Sequence, residues 1–171
     1  MVETQLRIYE VPQGLESKSG YAVTVNGRPL GLYDAKVLFP PFQYVKRAPF
    51  GLFDFEGEAV IEITPPVEVR QVDIRPKSRK IPFELREGKI RIVLTRPEKF
   101  SVELNGGIEY ALHLFANPLE RWRPEPDGKD VIYFAPGVHH IGDYEIPSGK
   151  TVYLAGGAYV YGKLITEKDS E

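Results

Sequence analysis

The chain of 171 residues has no cysteine, and its only histidines are His113, His139 and His140. The first absence removes disulfides, thiol catalysis and cysteine-ligated zinc together. Neither sign of charge dominates: 22 Lys and Arg face 24 Asp and Glu, so no global field directs the chain to nucleic acid or to an acidic membrane. No apolar run approaches membrane-spanning length. The first residues, MVETQLRIYEV, lack the apolar stretch of a signal peptide, so the expectation is a cytoplasmic protein or one whose leader has been removed. Before residue 116 there is no sustained 3.6-residue apolar period, and helices should be few. What the chain does have is 15 prolines and 16 glycines scattered between short apolar runs, the pattern of many short strands joined by turns.

Strand candidates are residues 5–11, 21–25, 30–38, 58–64, 67–74, 81–86, 89–94, 100–104 and 110–115. Asn26-Gly27 is a strong hairpin signal between two of them, and Glu87-Gly88 reads as another. The segment FPPFQYVKRAPFGLF reads as irregular, because Pro40, Pro41 and Pro49 break a central strand. Roughly nine strands in this span predict a two-sheet antiparallel β-sandwich. Residues 117–129, NPLERWRPEPDGK, hold three prolines and many charges and read as a linker.

After the linker the chain repeats itself. VIYFAPGVHHIGDYEI, from Val131, lies over TVYLAGGAYVYGKLIT, from Thr151. Tyr133 falls on Tyr153, Ala135 on Ala155, Gly137 on Gly157, Val138 on Ala158 and Gly142 on Gly162, a constant offset of 20 residues. A fixed period with apolar β-formers and glycines in step is the mark of stacked coils. The predicted organisation is a sandwich over 1–118, a Pro-rich linker over 119–130, and the first two coils of a parallel β-helix over 131–171, with further coils expected beyond.

DVIYFAPG from Asp130, Val138-His139-His140-Ile141-Gly142, and above all IPSGKTVYLAGGAYVYG from Ile146 resemble the start of a right-handed parallel β-helix. YAVTVNG, FDFEG, VDIRP and LHLFANP fit the preceding sandwich. In this order the chain resembles glycoside hydrolase family 49 (dextranase and isopullulanase) and related family 28-like proteins. The resemblance implies an all-β antiparallel sandwich leading into a right-handed β-helix, a polysaccharide or oligosaccharide as partner, and an extracellular or periplasmic setting. Such enzymes cleave with aspartates on later coils, in family 28 within Asn-x-Asp, Asp-Asp and Gly-His-Gly motifs. None of these occurs here, so no catalytic residue is carried over, and no cofactor is implied.

His139 and His140 are adjacent, and on a strand adjacent side chains point to opposite faces, which does not suit one metal ion. The constant offset aligns them with Tyr159 and Val160, giving one surface and one interior position. Asp143 and Glu145, two apart, could share a strand face, but after Gly142 the ordinary expectation is a solvated corner. A glycosidase needs carboxyls about 5–5.5 or 6.5–9.5 Å apart. Flat rings that stack on sugars are the better candidates: Trp122 between Arg121 and Arg123, and Phe42 and Tyr44 with Phe50 and Phe53 in the Pro-rich segment. Tyr159 and Tyr161 can add to a ladder of rings. The competing reading makes Trp122 a plug at the seam after the sandwich and the phenylalanines caps on its core. The run Arg75, Lys77, Arg79, Lys80 reads as a solvated turn, and Ala155-Gly156-Gly157-Ala158 as a tight corner.

Three functions fit. The chain is a non-catalytic N-terminal portion of a polysaccharide-degrading glycoside hydrolase, capping the helix; or a stand-alone carbohydrate-binding module; or an oligomeric structural β-protein associating through the open end of its coils.

Overall fold

The computed structural model describes residues 4–37 and 47–166. It is all-β, with one 3-10 turn, Lys77–Arg79, and no α-helix among the described residues. The chain divides into two compact units, one of Met1–Tyr9 and Leu15–Leu119, the other of Glu10–Gly14 and Glu120–Glu171. Residues 10–14, inside the span 1–118 read as sandwich, thus cluster with the second unit.

The first unit holds two sheets. One contains β1 (Gln5–Ile8), β4 (Tyr33–Lys36), β5 (Arg47–Glu56), β7 (Val72–Arg75), β10 (Glu98–Leu104) and β11 (Gly107–Pro118). The other contains β2 (Ala22–Val25), β3 (Arg28–Pro29), β6 (Ala59–Thr64), β8 (Phe83–Arg86) and β9 (Lys89–Leu94). Alternation decides which face of each strand is buried. Ala59, Ile61 and Ile63 point inward from β6, and Ile90, Ile92 and Leu94 from β9. Phe100, Val102 and Leu104 of β10 and Leu112, Leu114 and Ala116 of β11 meet them from the other sheet in one core cluster. Burial of each such aliphatic side chain contributes about 1.5–3 kcal/mol.

Two expectations are corrected here. The unit is antiparallel except for one pair: β5 runs parallel to β11, His113 opposite Phe50 through Pro118 opposite Phe55. Pro49 does not interrupt β5. It pairs with Asp34 of β4, at a level of the strand that the β11 pairing, beginning at Phe50, does not reach. A residue without an N–H is tolerated where one side of the ladder is open.

The hairpins at Asn26-Gly27 and Glu87-Gly88 form as expected, and Asn105-Gly106 makes a third between β10 and β11. At each turn both central residues have positive φ, the geometry that matches strand twist. The two asparagines also clamp neighbouring chain. Asn26 Oδ1 accepts from the Val60 N–H at 2.7 Å, and its Nδ2 donates to the Glu58 carbonyl at 3.1 Å. Asn105 Oδ1 accepts from the N–H groups of Arg70 and Gln71 at 2.8 and 3.2 Å, and its Nδ2 donates to the Glu68 carbonyl at 3.0 Å.

The second unit contains β12 (Val131–Phe134), β13 (Gly137–Ile146), β14 (Thr151–Leu154) and β15 (Ala158–Thr166). β12 pairs in parallel with β14, and β13 with β15. Two strand–corner–strand units are therefore stacked in register, as a coil on a coil. From Val131 opposite Thr151 the offset is 20 residues, but Gly137 faces Ala158 and His140 faces Tyr161, an offset of 21. It returns to 20 at Gly142 opposite Gly162, past an irregularity between His140 and Gly142. The constant alignment is thus one residue out over 137–140. The corner after β14 is longer by one residue than that after β12, and the irregularity in β13 absorbs the difference. The Ala155–Ala158 corner is tight, closed by an Ala158 N–H to Ala155 carbonyl bond of 2.8 Å.

Candidate functional site

The corrected register rearranges the histidine positions. His139 lies opposite Val160 and His140 opposite Tyr161. His139 is half-buried, its Nε2 is 2.7 Å from the Ala135 carbonyl oxygen, and its ring meets Phe134 edge-on. His140 is exposed and stacks on Tyr161, 4.8 Å between centroids and 6° from parallel. One therefore faces inward and one outward, as strand geometry requires. Among the described residues no group of three or more His, Asp or Glu is arranged to hold a metal ion.

Asp143 and Glu145 lie on β13 itself rather than in a corner loop. Asp143 forms an ion pair with Lys163 at 3.4 Å, the residue it faces in register. Asp130 and Lys150 repeat this one strand earlier, at 3.1 Å. These carboxylates form charge rungs between coils. A cleft of about 430 Å³ is lined by Glu145, Ile146, Pro147, Ile165 and Thr166. Among the described residues its lining holds one carboxylate, Glu145, where glycoside hydrolysis uses a pair. The basic run is similarly occupied: Arg75 pairs with Glu103 at 3.1 Å, Lys77 with Asp73 at 2.9 Å and Arg79 with Glu98 at 3.7 Å. Three of its four cations thus serve acids of the first unit.

The phenylalanines of the Pro-rich segment separate. Phe53 is a core residue, whereas Phe50 on the opposite face of β5 stacks on Tyr33 at 5.0 Å and meets Phe115 edge-on at 6.1 Å. Phe42 and Tyr44 lie outside the described residues.

Trp122 is no buried plug, being 63% exposed. Its ring meets Tyr153 at 6.2 Å and 85°, an edge-on contact. Tyr153 is itself stacked on Tyr133, one coil earlier, at 5.2 Å and 26°. The Tyr153 hydroxyl donates to Glu120 Oε1 at 2.6 Å, and Arg123 Nε donates to Glu120 Oε2 at 2.8 Å. Burial, reinforced by the bond to Glu120, pushes the Tyr153 phenol up to about 12, so it remains a donor through the neutral range. Trp122, Tyr153, Tyr133, Glu120 and Arg123 form one cluster of rings with a carboxylate held at both oxygens. Sequence reading found Trp122 and missed the other four as a site. The signal available was the identical tyrosines 20 positions apart, which a stacked coil must place one above the other.

No family model matches the chain, and no curated protein matches it. Among solved structures, Dex49A from Penicillium minioluteum is similar, with a TM-score of 0.62 and 19% sequence identity. The match covers 92% of this chain and 47% of that one, so this chain spans about half the length of Dex49A. At this identity the likeness establishes a shared all-β fold over nearly the whole of the described sequence.

Proposed function

We propose that this chain is the non-catalytic N-terminal portion of a polysaccharide-degrading protein of the glycoside hydrolase family 49 type, with a right-handed β-helix beginning at Val131 and the preceding β-sandwich in an accessory, capping role. The observation that carries this reading is the fold shared with Dex49A over 92% of the chain. The coil sequence that resembles the family, IPSGKTVYLAGGAYVYG, adds to it. The charge rungs speak for a structural use of the carboxylates, since Asp130 and Asp143 are engaged by lysines. Incubation with dextran, pullulan and polygalacturonate should release no new reducing ends. Turnover of any of the three by this chain would overturn the non-catalytic reading.

The exposure of Trp122 favours a second reading, a stand-alone carbohydrate-binding module. The two differ in one property: a module binds soluble glycan with useful affinity by itself, whereas a purely capping portion binds none.

A further inference from the structure

The five-stranded sheet of the first unit ends at β8, which among the described residues pairs only with β9. All four of its residues, Phe83, Glu84, Leu85 and Arg86, are exposed. Phe83 lies opposite Ile92 and Leu85 opposite Ile90, two side chains at 0% exposure. Residues directly opposite share a face of the sheet, so Phe83 and Leu85 belong to the core face, yet each is 40% exposed. The apolar layer of the first unit thus runs out into solvent along this edge. An edge strand with uncovered apolar side chains is a template for another strand.

The backbone sets which residues a second strand can use. Glu87-Gly88 closes the β8–β9 hairpin with two residues, so Arg86 and Lys89 form the hydrogen-bonded pair beside the turn, and alternation gives the next to Glu84 and Arg91. The N–H and C=O of Phe83 and Leu85 therefore point to the open edge. For an antiparallel strand of the same sequence, two registers bring Leu85 opposite a residue of β8. With Glu84 at the centre, the partner's Glu84 stands directly opposite, and like charges repel. With Leu85 at the centre, Leu85 exchanges both backbone bonds with the partner's Leu85, and Glu84 and Arg86 face the partner's Arg86 and the partner's Glu84. Phe83 then lies diagonal to the partner's Leu85, within reach of an aromatic ring. In the single chain Arg86 Nε lies 3.5 Å from Glu84 Oε2, an exposed pair that contributes little and can be exchanged for pairs across strands.

We propose that β8 is a self-complementary dimerisation edge, pairing antiparallel with β8 of a second copy about a two-fold axis at Leu85, so that two five-stranded sheets join as one. The dimer does not depend on the glycan-related role proposed above. It also differs from association through the open end of the coils, which leaves β8 uncovered.

A strand this short makes a small interface, so association should depend on concentration. Sedimentation equilibrium of the full chain between about 10 and 500 μM should show monomer and dimer in exchange. Glu84→Arg sets arginine against arginine at both cross-strand pairs, and Arg86→Glu sets glutamate against glutamate. Each alone should weaken the dimer about tenfold or more. An equimolar mixture of the two variants should recover association as a heterodimer, because one copy then offers two cations and the other two anions. Far-UV circular dichroism checks that each variant is folded. Should either fail to fold, hydrogen exchange of the unaltered chain decides: the Leu85 N–H should exchange more slowly as concentration rises, and protection independent of concentration would overturn the dimer. So would a monomer throughout the range, or a folded mixture that does not recover. Undiminished association of Arg86→Glu, the outcome of the Glu84-centred register, would overturn it as well.

Discussion

The two units of this chain solve the same problem, burying apolar strand faces, to different degrees. In the first, two sheets close on each other, and Ile61, Ile63, Ile90 and Ile92 reach 0% exposure. In the second, Phe134 and Ala155 are the only buried apolar side chains among the described residues. Phe134 is 7% exposed, yet Leu154, its partner in register on the next coil, is 47% exposed. A sheet paired face to face completes its own core, whereas a coil is covered only by the coil beyond it. The first unit's stability is therefore stored in packing, and the second's in backbone register, ring stacks and charge rungs.

The sharpest way to break this contrast is in the core of the first unit. Ile61→Ala should cost about 2–5 kcal/mol, as for other large-to-small core changes, read as a lower denaturant midpoint. An exposed coil position such as Leu154→Ala should cost well under half as much. A cost for Leu154→Ala as large as that for Ile61→Ala would abolish the distinction.

Next in size is Gly162→Ala. Gly162 has φ of +145°, and a Cβ there would sit 2.4 Å from the Gly142 carbonyl oxygen and 2.5 Å from Ile141 Cγ1. The strain should cost about 1–3 kcal/mol. Hydrogen exchange should show the loss in β13 and β15 while β6 and β9 keep their protection. Equal loss in both units would mean that they unfold as one.

Asn105→Ala should cost about 1 kcal/mol, since it removes the acceptor of two backbone N–H groups that also face solvent. Exchange should quicken at Arg70 and Gln71 first.

Titration gives the smallest effects. Burial raises the phenols of Tyr9, Tyr21 and Tyr159 as well as that of Tyr153. In the unfolded chain phenols release their protons near pH 10. Above that pH the unfolded state binds fewer protons than the native one, so stability falls as pH rises. Absorbance at alkaline pH should show Tyr153 titrating near 12 and the remaining raised phenols above the ordinary value. In the opposite direction, burial lowers the His113 imidazole, partly opposed by Glu103. Its contribution is present above the unfolded value and is lost as pH falls through the folded one. A His113 resonance titrating at or above the ordinary value would remove it.

Much of the fold was legible because it follows from alternation and turn chemistry. Lys89–Leu94 was read to the residue, and two of the three positive-φ hairpins were named from Asn-Gly and Glu-Gly. The 20-residue repeat anticipated the parallel pairing of β12 with β14 and of β13 with β15. What escaped depends on partners far along the chain. Pro49 could be accepted in a strand only because β11 starts pairing one residue later, and no local signal records that. Val67 and Val69 looked like strand, yet β7 begins only at Val72, after the Asn105 side chain has tied off the Arg70 and Gln71 N–H groups. The aromatic cluster escaped for a similar reason. Trp122 and Glu120 lie in a Pro-rich segment whose meaning depends on a tyrosine 31 positions away in the second coil.

The surplus residue in the Ala155–Ala158 corner and the irregularity at Ile141 act like two clocks reset at the same hour. Each coil spends its length differently between Phe134 or Leu154 and the glycine rung, yet both arrive at Gly142 and Gly162 in phase. Removing Ile141, the surplus residue of β13, should leave Gly142 opposite Gly162, whereas a one-residue deletion within the paired stretches of β13 or β15 should throw every later rung out of step. The glycine rung thus marks where this ladder tolerates variation and where it does not.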